Sequence, residues 1–186
     1  MTRQSHASRL ATPVGERDHV QGSVTAPATL VEYGDFECPH CGRAHAVVKA
    51  LQERFGPRLR FAFRHFPLAS VHPHAQAAAE AAEAAGAQGS FWEFHDILFE
   101  NQEALDADDL ARYSDALGLD TPRLLGELDE HVYTPRVHED FLDGARSGVN
   151  GTPTFFINGV RHDDANDVDT LVDAIEEVIE AATGVR

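Results

Sequence analysis

The chain has 186 residues, of which 42% are hydrophobic, and this suits one medium-sized domain or a domain with an insertion. Its formal net charge is −16, with 31 acidic residues against 15 basic ones. This balance argues against a nucleic-acid partner, because phosphate binding needs clustered cations, and an anionic membrane surface would repel the chain. Adaptation to high salt and ordinary solvated acidic helix faces are both compatible with such a composition.

The N-terminal region is polar. Residues 1–16 are expected to be loose, and no apolar run of seven or more residues occurs before residue 28. The sequence therefore predicts neither a secretory signal peptide nor membrane insertion. We expect a cytoplasmic protein, or an extracytoplasmic one if the true start lies upstream. Thiols are mostly reduced in the cytoplasm, so a lone cysteine pair there indicates catalysis or sensing.

The first predicted elements form a strand–helix–strand unit. Alternation and helical spacing of apolar residues predict an edge strand at 19–22, a buried strand at 28–33, a helix at 41–55 and a strand at 58–66. Gly56-Pro57 ends the helix. Leu59, Phe61 and Phe63 share one face of the second long strand. Parallel pairing of the two long strands follows from their helical connection.

A block of helices follows at residues 68–147. An Ala-rich helix is expected at 73–85, and a capping box from Ser90 to Glu93 opens a helix at 91–99. Asp106 caps a helix that Gly118 ends. Two further helices begin at Thr121-Pro122 and Thr134-Pro135, each a cap residue followed by proline at the first helical position, and Gly148 ends the last one.

The sheet pattern returns after the helical block. A strand is predicted at 154–157, a tight turn at Asn158-Gly159, a return strand at 160–162 and a final helix at 168–182. The order predicts an α/β fold, in which a mixed sheet is flanked by helices and carries an inserted helical subdomain. The sheet domain comprises residues 17–67 and 148–186.

Cys38 and Cys41, the two cysteines of the sequence, lie between the first long strand and its helix. Cys38 therefore faces unpaired N–H groups and the positive end of the helix dipole, which favour a thiolate. Pro39 suits the first helical turn. His40 brings a ring that can donate a hydrogen bond or a positive charge toward the sulfur anion. The spacing lets Cys41 reach Cys38, as thiol–disulfide exchange requires.

Two other interpretations of the pair are a half zinc site and a buried pair without chemistry. Structural zinc sites use about four ligands, and the sequence has no second CxxC motif. Histidines occur beside turns in His72-Pro73-His74 and in His162-Asp163-Asp164, but single histidines in such places seldom bind metal. We therefore favour a redox pair and expect no metal site.

The sequence resembles the DsbA-like thiol–disulfide oxidoreductases of the thioredoxin superfamily over residues 17–183. The resemblance rests on Val31–Cys41 (VEYGDFECPHC), on the helical insertion with Phe91–Phe99 (FWEFHDILF), and on Gly151-Thr152-Pro153 before a strand. It implies a thioredoxin-like mixed sheet flanked by helices, with an inserted helical subdomain.

The resemblance also implies roles for individual residues. Cys38 corresponds to the nucleophilic cysteine and Cys41 to the resolving one. Pro153 corresponds to a cis-proline that faces the disulfide, and the backbone of Thr152 to the group that bonds an extended substrate strand. Glu32 corresponds to a buried acid beneath the cysteines. Burial would raise its pKa and let it relay a proton to or from Cys41.

Three further expectations concern residues around the cysteines. Asp35 and Glu37 are expected to be exposed, and their charge to oppose thiolate formation at Cys38. Pro39 is grouped with the Thr152-Pro153 segment as a substrate contact.

The predicted function is a thiol–disulfide oxidoreductase that exchanges electrons with protein dithiols and disulfides and with a redox-recycling partner. No cofactor is expected beyond the Cys38–Cys41 disulfide. The direction stays open, because the Pro-His pair resembles oxidising relatives, whereas Thr152 and the missing signal peptide favour reductases or isomerases. The alternatives are a redox-responsive binding or regulatory module without turnover, and a zinc-binding structural domain.

Overall fold

A computed structural model describes residues 8–184, and none of its helices has the length and apolarity needed to cross a bilayer. Within that range the elements, in chain order, are β1 (His19–Gln21), β2 (Ala28–Gly34), α1 (Pro39–Phe55), β3 (Leu59–His65), α2 (Ala75–Gly86), α3 (Phe91–Glu100), α4 (Ala107–Ala116), α5 (Thr121–Asp129), α6 (Thr134–Arg146), β4 (Thr154–Ile157), β5 (Val160–Arg161) and α7 (Val168–Thr183). The predicted elements are therefore all present, with ends shifted by a few residues.

The strands form one sheet in the order β1-β3-β2-β4-β5. β2 and β3 run parallel, with α1 as their crossover, and the remaining neighbours are antiparallel. Asn158 and Gly159 both have positive φ, as the tight turn between β4 and β5 requires. The prediction of a mixed sheet flanked by helices, with a helical block inserted between β3 and β4, is confirmed.

Each face of the sheet is covered. Leu30 of β2 belongs to the larger core, which includes buried residues of α1, α2, α3 and α7. Val31 and Tyr33 point to the other face, where they pack with Phe66 and Phe156. Strands covered on both faces need few polar positions, which explains the nearly continuous apolar run in β2.

α6 approaches the second face closely at Gly144. A Cβ atom at this position would lie 2.7 Å from the ring of Phe66 and 3.0 Å from that of Tyr33. Glycine is therefore required for this contact, because any side chain would push the helix away from the sheet. The close approach brings the carboxylate of Asp143 to β3.

Arg64 of β3 joins this helix to the N-terminal segment. Its guanidinium donates to both carboxylate oxygens of Asp18 at 2.8 and 3.0 Å, to Asp143 at 2.7 Å, and to the Thr12 carbonyl at 3.0 Å. The side chains of Arg64, Asp18 and Asp143 are fully buried. The cluster therefore fixes the segment preceding β1 against the sheet.

The expectation of a loose N-terminus is wrong for residues 8–16. Arg9 forms an isolated bridge with Val160, and the Leu10 N–H donates to the Gly159 carbonyl at 3.0 Å. We call residues 8–16 the strap. Polar composition misled the prediction, because the partners of the strap come from distant parts of the chain. The same expectation for residues 1–7 lies outside the described residues.

Three predicted helix starts need correction, whereas the Asp106 cap of α4 is confirmed as a capping box with Asp109. Ser90 makes no capping hydrogen bond, so the predicted box at α3 is wrong. α5 is capped one residue earlier than predicted, since the Asp120 carboxylate accepts from the Arg123 N–H at 3.0 Å. At α6 the cap position is Tyr133, and no side chain caps it.

Candidate active site

Cys38 occupies the N-cap position of α1, and Pro39 begins the helix. The turn before the helix is closed by the Cys38 N–H, which donates to the Asp35 carbonyl at 3.1 Å. Both cysteines are free thiols. Cys38 is 4% exposed and Cys41 is fully buried. Of the two residues, only Cys38 therefore has surface that an approaching disulfide can reach.

The two thiols differ strongly in acidity. A hydrogen bond from Cys41 lowers the pKa of Cys38 to about 5 against the opposing effect of burial, and Thr152 and the backbone N–H groups of Cys41 and His40 contribute. Burial raises the pKa of Cys41 well above its ordinary value, as does its bond to Cys38. At neutral pH the pair is therefore one thiolate, at Cys38, next to one thiol.

The Thr152–Pro153 segment lies against the first cysteine. In its protonated form the Cys38 thiol donates to the Thr152 carbonyl at a sulfur–oxygen distance of 3.4 Å. The peptide bond between Thr152 and Pro153 is cis, which is the geometry that the resemblance implies. The Thr152 hydroxyl is buried and has no partner among the described residues, so it is free to donate to a thiolate.

Glu32 is buried on the same face of β2 as Leu30, with 2% of its surface exposed. Burial raises the pKa of its carboxyl to about 8, and the charge of Cys38 adds to this effect. Its Oε1 has no hydrogen-bond partner among the described groups. The charge of Glu32 in turn helps to raise the pKa of Cys41, so the carboxyl lies near enough to the cysteines for their charges to interact.

His40 is placed differently from the expectation. Its ring is exposed, and Nδ1 lies 2.8 Å from Nη2 of Arg43. A guanidinium can only donate, so Nδ1 is the acceptor and the ring is directed toward Arg43. The contribution of His40 to the Cys38 thiolate comes from its backbone N–H. The expected bond from the ring to the sulfur is therefore not formed.

The expectation that Asp35 is exposed is wrong. Its carboxylate is buried and accepts from the Glu37 N–H at 2.8 Å and the Leu68 N–H at 2.8 Å, and it contacts Nδ1 of His72 at 2.7 Å. Burial acts to lower the pKa of His72, but Asp35 and the charge of Cys38 raise it overall. Asp35 is thus hydrogen-bonded to a histidine that was considered only as a metal ligand.

Glu37 is half-buried and pairs with the second histidine of that loop, against the expectation that it is exposed. Its carboxylate accepts from the His74 N–H at 2.7 Å, and its other oxygen lies 3.0 Å from Nδ1 of His74. The loop that carries both histidines is thereby fixed beside the cysteines.

Gln102, at the end of the turn after α3, was missed by the sequence analysis. Its amide donates to the Phe36 carbonyl at 2.9 Å and to the Cys38 carbonyl at 2.8 Å. A Cβ atom on Gly42 would collide with this amide. Gln102 therefore braces the active-site turn from the inserted block, and no local pattern could have revealed it, because its partners lie more than sixty residues earlier.

One described group of side chains has the donor types of a metal site. Ligand atoms of His45, His95 and Asp96 lie within 4.8 Å of one another. The ammonium of Lys49 lies 2.5 Å from the Asp96 carboxylate, and burial lowers the pKa of His95 to about 4. The carboxylate thus already has a cation, and His95 is neutral at physiological pH.

Comparison with known proteins places this geometry in a family. The thioredoxin family model matches residues 15–177. BdbD from Bacillus subtilis superposes with a TM-score of 0.85 at 24% identity, over 94% of this chain and 99% of that one. A thioredoxin-like oxidoreductase from Silicibacter pomeroyi superposes with a TM-score of 0.72 at 28% identity, over 88% of this chain and 92% of that one.

A curated relative from Salinispora arenicola is named Na(+)/H(+) antiporter NhaA 1. It is 49% identical over 168 residues, which are 89% of this chain and 26% of that protein. This chain therefore spans about a quarter of the length of the curated relatives that it matches. The family model, the superpositions and the paired cysteines at the start of α1 agree, and the chain belongs to the thioredoxin family, with a block of helices inserted in the fold.

Proposed function

We propose that the protein is a thiol–disulfide oxidoreductase that acts on protein dithiols and disulfides through Cys38 and Cys41. The observation that carries this proposal is the placement of the two sulfurs: Cys38 lies at the N-cap of α1 against the Thr152 carbonyl, where a hydrogen bond from Cys41 lowers its pKa, and Cys41 is fully buried, which raises its pKa. A thiolate attacks disulfides, whereas a neighbouring thiol is a reserve nucleophile for the second step.

In the reducing direction, the Cys38 thiolate attacks one sulfur of a substrate disulfide. The Cys38–substrate disulfide forms, and the other substrate sulfur leaves as a thiolate. Cys41 then loses its proton to Glu32, attacks the Cys38 sulfur and releases the second substrate thiolate. The substrate gains two electrons, and the protein ends with a Cys38–Cys41 disulfide. Oxidation of a substrate dithiol is the reverse sequence.

The surroundings of Cys38 suit an extended protein segment. A groove of about 360 Å³ lies between the start of α1 and Pro153, with His40, Arg43 and Asp167 among its other lining residues. Pro39 is exposed at the start of α1, and the Thr152 backbone lies against the sulfur. We assign Pro39, Thr152 and Pro153 to substrate binding, and His40 to thiolate stabilisation through its backbone N–H.

Trapping tests the two cysteine roles. Cys41→Ser keeps the nucleophile and removes the resolving thiol, so it should accumulate mixed disulfides with substrate proteins on a non-reducing gel. Cys38→Ser should accumulate almost none, because the remaining thiol is buried and protonated. Equal trapping by both variants would contradict the assignment. The reduction potential of the wild-type pair then fixes the direction, since about 30 mV corresponds to about 1.4 kcal/mol.

The lengths of the curated relatives support a second candidate function. Because this chain matches about a quarter of proteins named as sodium–proton antiporters, a redox-responsive regulatory module without turnover is the alternative. Insulin reduction by dithiothreitol separates the two candidates. An oxidoreductase should accelerate the precipitation of insulin, with Cys38→Ser as the inactive control, whereas a module without turnover should leave the rate unchanged.

A further inference from the structure

Two arginines of β3 lie on the same face of the sheet but have very different surroundings. Arg64 is paired in register with Tyr33, and Arg60 with Thr29, four residues closer to the start of the strand. The guanidinium of Arg64 forms ion pairs with the carboxylates of Asp18 and Asp143. The Nε of Arg60, in contrast, is buried and has no acceptor among the described groups.

Arg60 lines an open pocket of about 370 Å³. The strap forms one wall with Arg9, Leu10 and Val14, and Val31 of β2 contributes from the sheet. The pocket lies at the beginning of β2, whereas the cysteines follow the end of that strand. It is therefore separate from the groove beside Pro153.

The charge in this pocket is unusual for the protein. Neither Arg9 nor Arg60 lies within ion-pair distance of a carboxylate in the described part of the chain, and no carboxylate lines the pocket. Of the other ten arginines between residues 8 and 184, eight have carboxylate partners. The remaining two, Arg43 and Arg58, are exposed on α1 and just after it. Within that range, only at this cavity does a buried guanidinium N–H without a partner, that of Arg60, lie beside a second unpaired arginine, so the cavity can accept an anion from outside.

We propose that this pocket binds a small monocarboxylate, with the carboxylate on Arg60 and Arg9 and a short apolar body against Leu10, Val14 and Val31. A planar carboxylate matches the fork of a guanidinium, and the buried Nε–H gains an acceptor. The apolar walls favour a carbon chain over a bare oxyanion. The volume lies near the lower end for small-molecule pockets and is ample for a short-chain carboxylate.

Titration of the intact protein, followed by amide NMR shifts at physiological salt, tests the proposal. Sodium hexanoate is the probe, and 1-hexanol is the uncharged ligand of matched length. Hexanoate should bind and shift the signals of Leu10, Val14, Val31 and Gly159, and 1-hexanol should bind at least about tenfold more weakly. This ratio corresponds to one charge-assisted hydrogen bond. Equal binding of the two ligands would overturn the proposal.

Variants locate the site on the arginines. Arg60→Gln should weaken hexanoate binding at least about tenfold, whereas Arg58→Gln should not change it, because Arg58 is exposed and packs over the ring of Phe55. Arg9→Gln alters an exposed side chain and should also weaken binding, which keeps the test decisive if Arg60→Gln does not fold. Equal losses for Arg58→Gln and Arg9→Gln would overturn the site.

Inorganic phosphate provides the remaining comparison. It carries more charge than hexanoate but has no apolar body, so it should bind more weakly if the walls contribute. Phosphate that binds more tightly than hexanoate at the same signals would overturn the carboxylate assignment in favour of a simple oxyanion site.

Discussion

Glu32 and Tyr33 are neighbours on β2, and their side chains lie on opposite faces of the sheet among buried ionisable groups. On the Tyr33 face, Arg64, Asp18 and Asp143 are matched by charge and hydrogen bonds, and the pKa values of both aspartates are lowered overall despite burial, which acts to raise them. On the Glu32 face the carboxyl has no cation, and its pKa is raised to about 8. Burial alone therefore does not decide whether a carboxyl is charged, because a matched cationic partner reverses the effect of burial on its pKa.

The two faces therefore serve different purposes. Matched charges fix one geometry and stay ionised over a wide pH range, which suits the attachment of the strap and α6 to the sheet. An unmatched acid changes its protonation near neutral pH, which suits a group that must accept a proton from Cys41 and return it. Variants on each face of the sheet can test this difference between matched and unmatched buried charges.

The largest change in stability is expected when the matched cation, Arg64, is removed. Arg64→Leu leaves Asp18 and Asp143 buried without their partner, so the free energy of unfolding should fall by about 3–5 kcal/mol. Urea denaturation at pH 7 measures this loss. The thiolate titration of Cys38 should be unchanged in the folded variant. A stability loss below about 1 kcal/mol would remove the distinction between the two faces.

Glu32→Gln, in contrast, should make the folded protein more stable relative to the wild type as pH rises. Below pH 4.5 the Glu32 carboxyl is protonated in both states, and between 4.5 and about 8 only the folded protein keeps the proton. The wild type should therefore lose stability as pH rises through this window, with a slope approaching about 1.4 kcal/mol per pH unit. The variant lacks this contribution, so its stability relative to the wild type should increase from pH 5 to pH 8 by a few kcal/mol.

Urea denaturation of both proteins at several pH values checks this difference, and the same comparison in a Cys38→Ser background removes the contribution of the Cys38 thiolate. A constant difference would show that Glu32 is ionised normally. The same variant should resolve mixed disulfides at least about tenfold more slowly, because Cys41 loses its proton acceptor. An unchanged resolution rate would leave Glu32 with a structural role only.

A smaller effect is expected for Thr152→Val. This change removes a buried hydroxyl that helps to lower the pKa of Cys38, while the Thr152 carbonyl and the shape of the side chain remain. The pKa of Cys38 should rise by about one unit, the size expected for one hydrogen bond to a charged group. Absorbance of the thiolate near 240 nm measures it. Thr152→Ser, which keeps the hydroxyl, is the matched control and should titrate like the wild type.

The smallest effect is expected on the surface. Arg54 and Glu176 form a pair at 2.9 Å, but both side chains are about half exposed. Arg54→Gln should change the free energy of unfolding by no more than about 0.5 kcal/mol, because water screens such pairs. A loss as large as that of Arg64→Leu would mean that pairing, and not burial, determines the stability of this protein.

Local patterns in the sequence predicted the order of elements, the position of the cysteines and the Asp106 cap, since each depends on neighbouring residues. The surroundings of Asp35 could not be predicted in this way. Its partners, Leu68 and His72, lie more than thirty residues later and reach it only through the fold. The attachment of the strap to the sheet was missed for the same reason.

His40 shows a different limit. Its position in the sequence placed it beside Cys38, and its backbone does contribute to the thiolate there. The direction of its ring depends on Arg43, one turn further along α1, which offers a donor on the exposed side. Proximity along the chain therefore fixed the backbone contact but not the side-chain contact.

The N-cap position of Cys38 has a further consequence. The N-cap residues of α4, α5 and α7 are Asp106, Asp120 and Asp167, whose carboxylates accept backbone N–H groups, whereas the first turn of α1 has no acid. In the reduced protein the Cys38 sulfur is the anion at that end of α1. Oxidation turns it into a neutral disulfide atom and takes away the negative charge that a helix start favours. Electron transfer thus also switches the charge at a helix end.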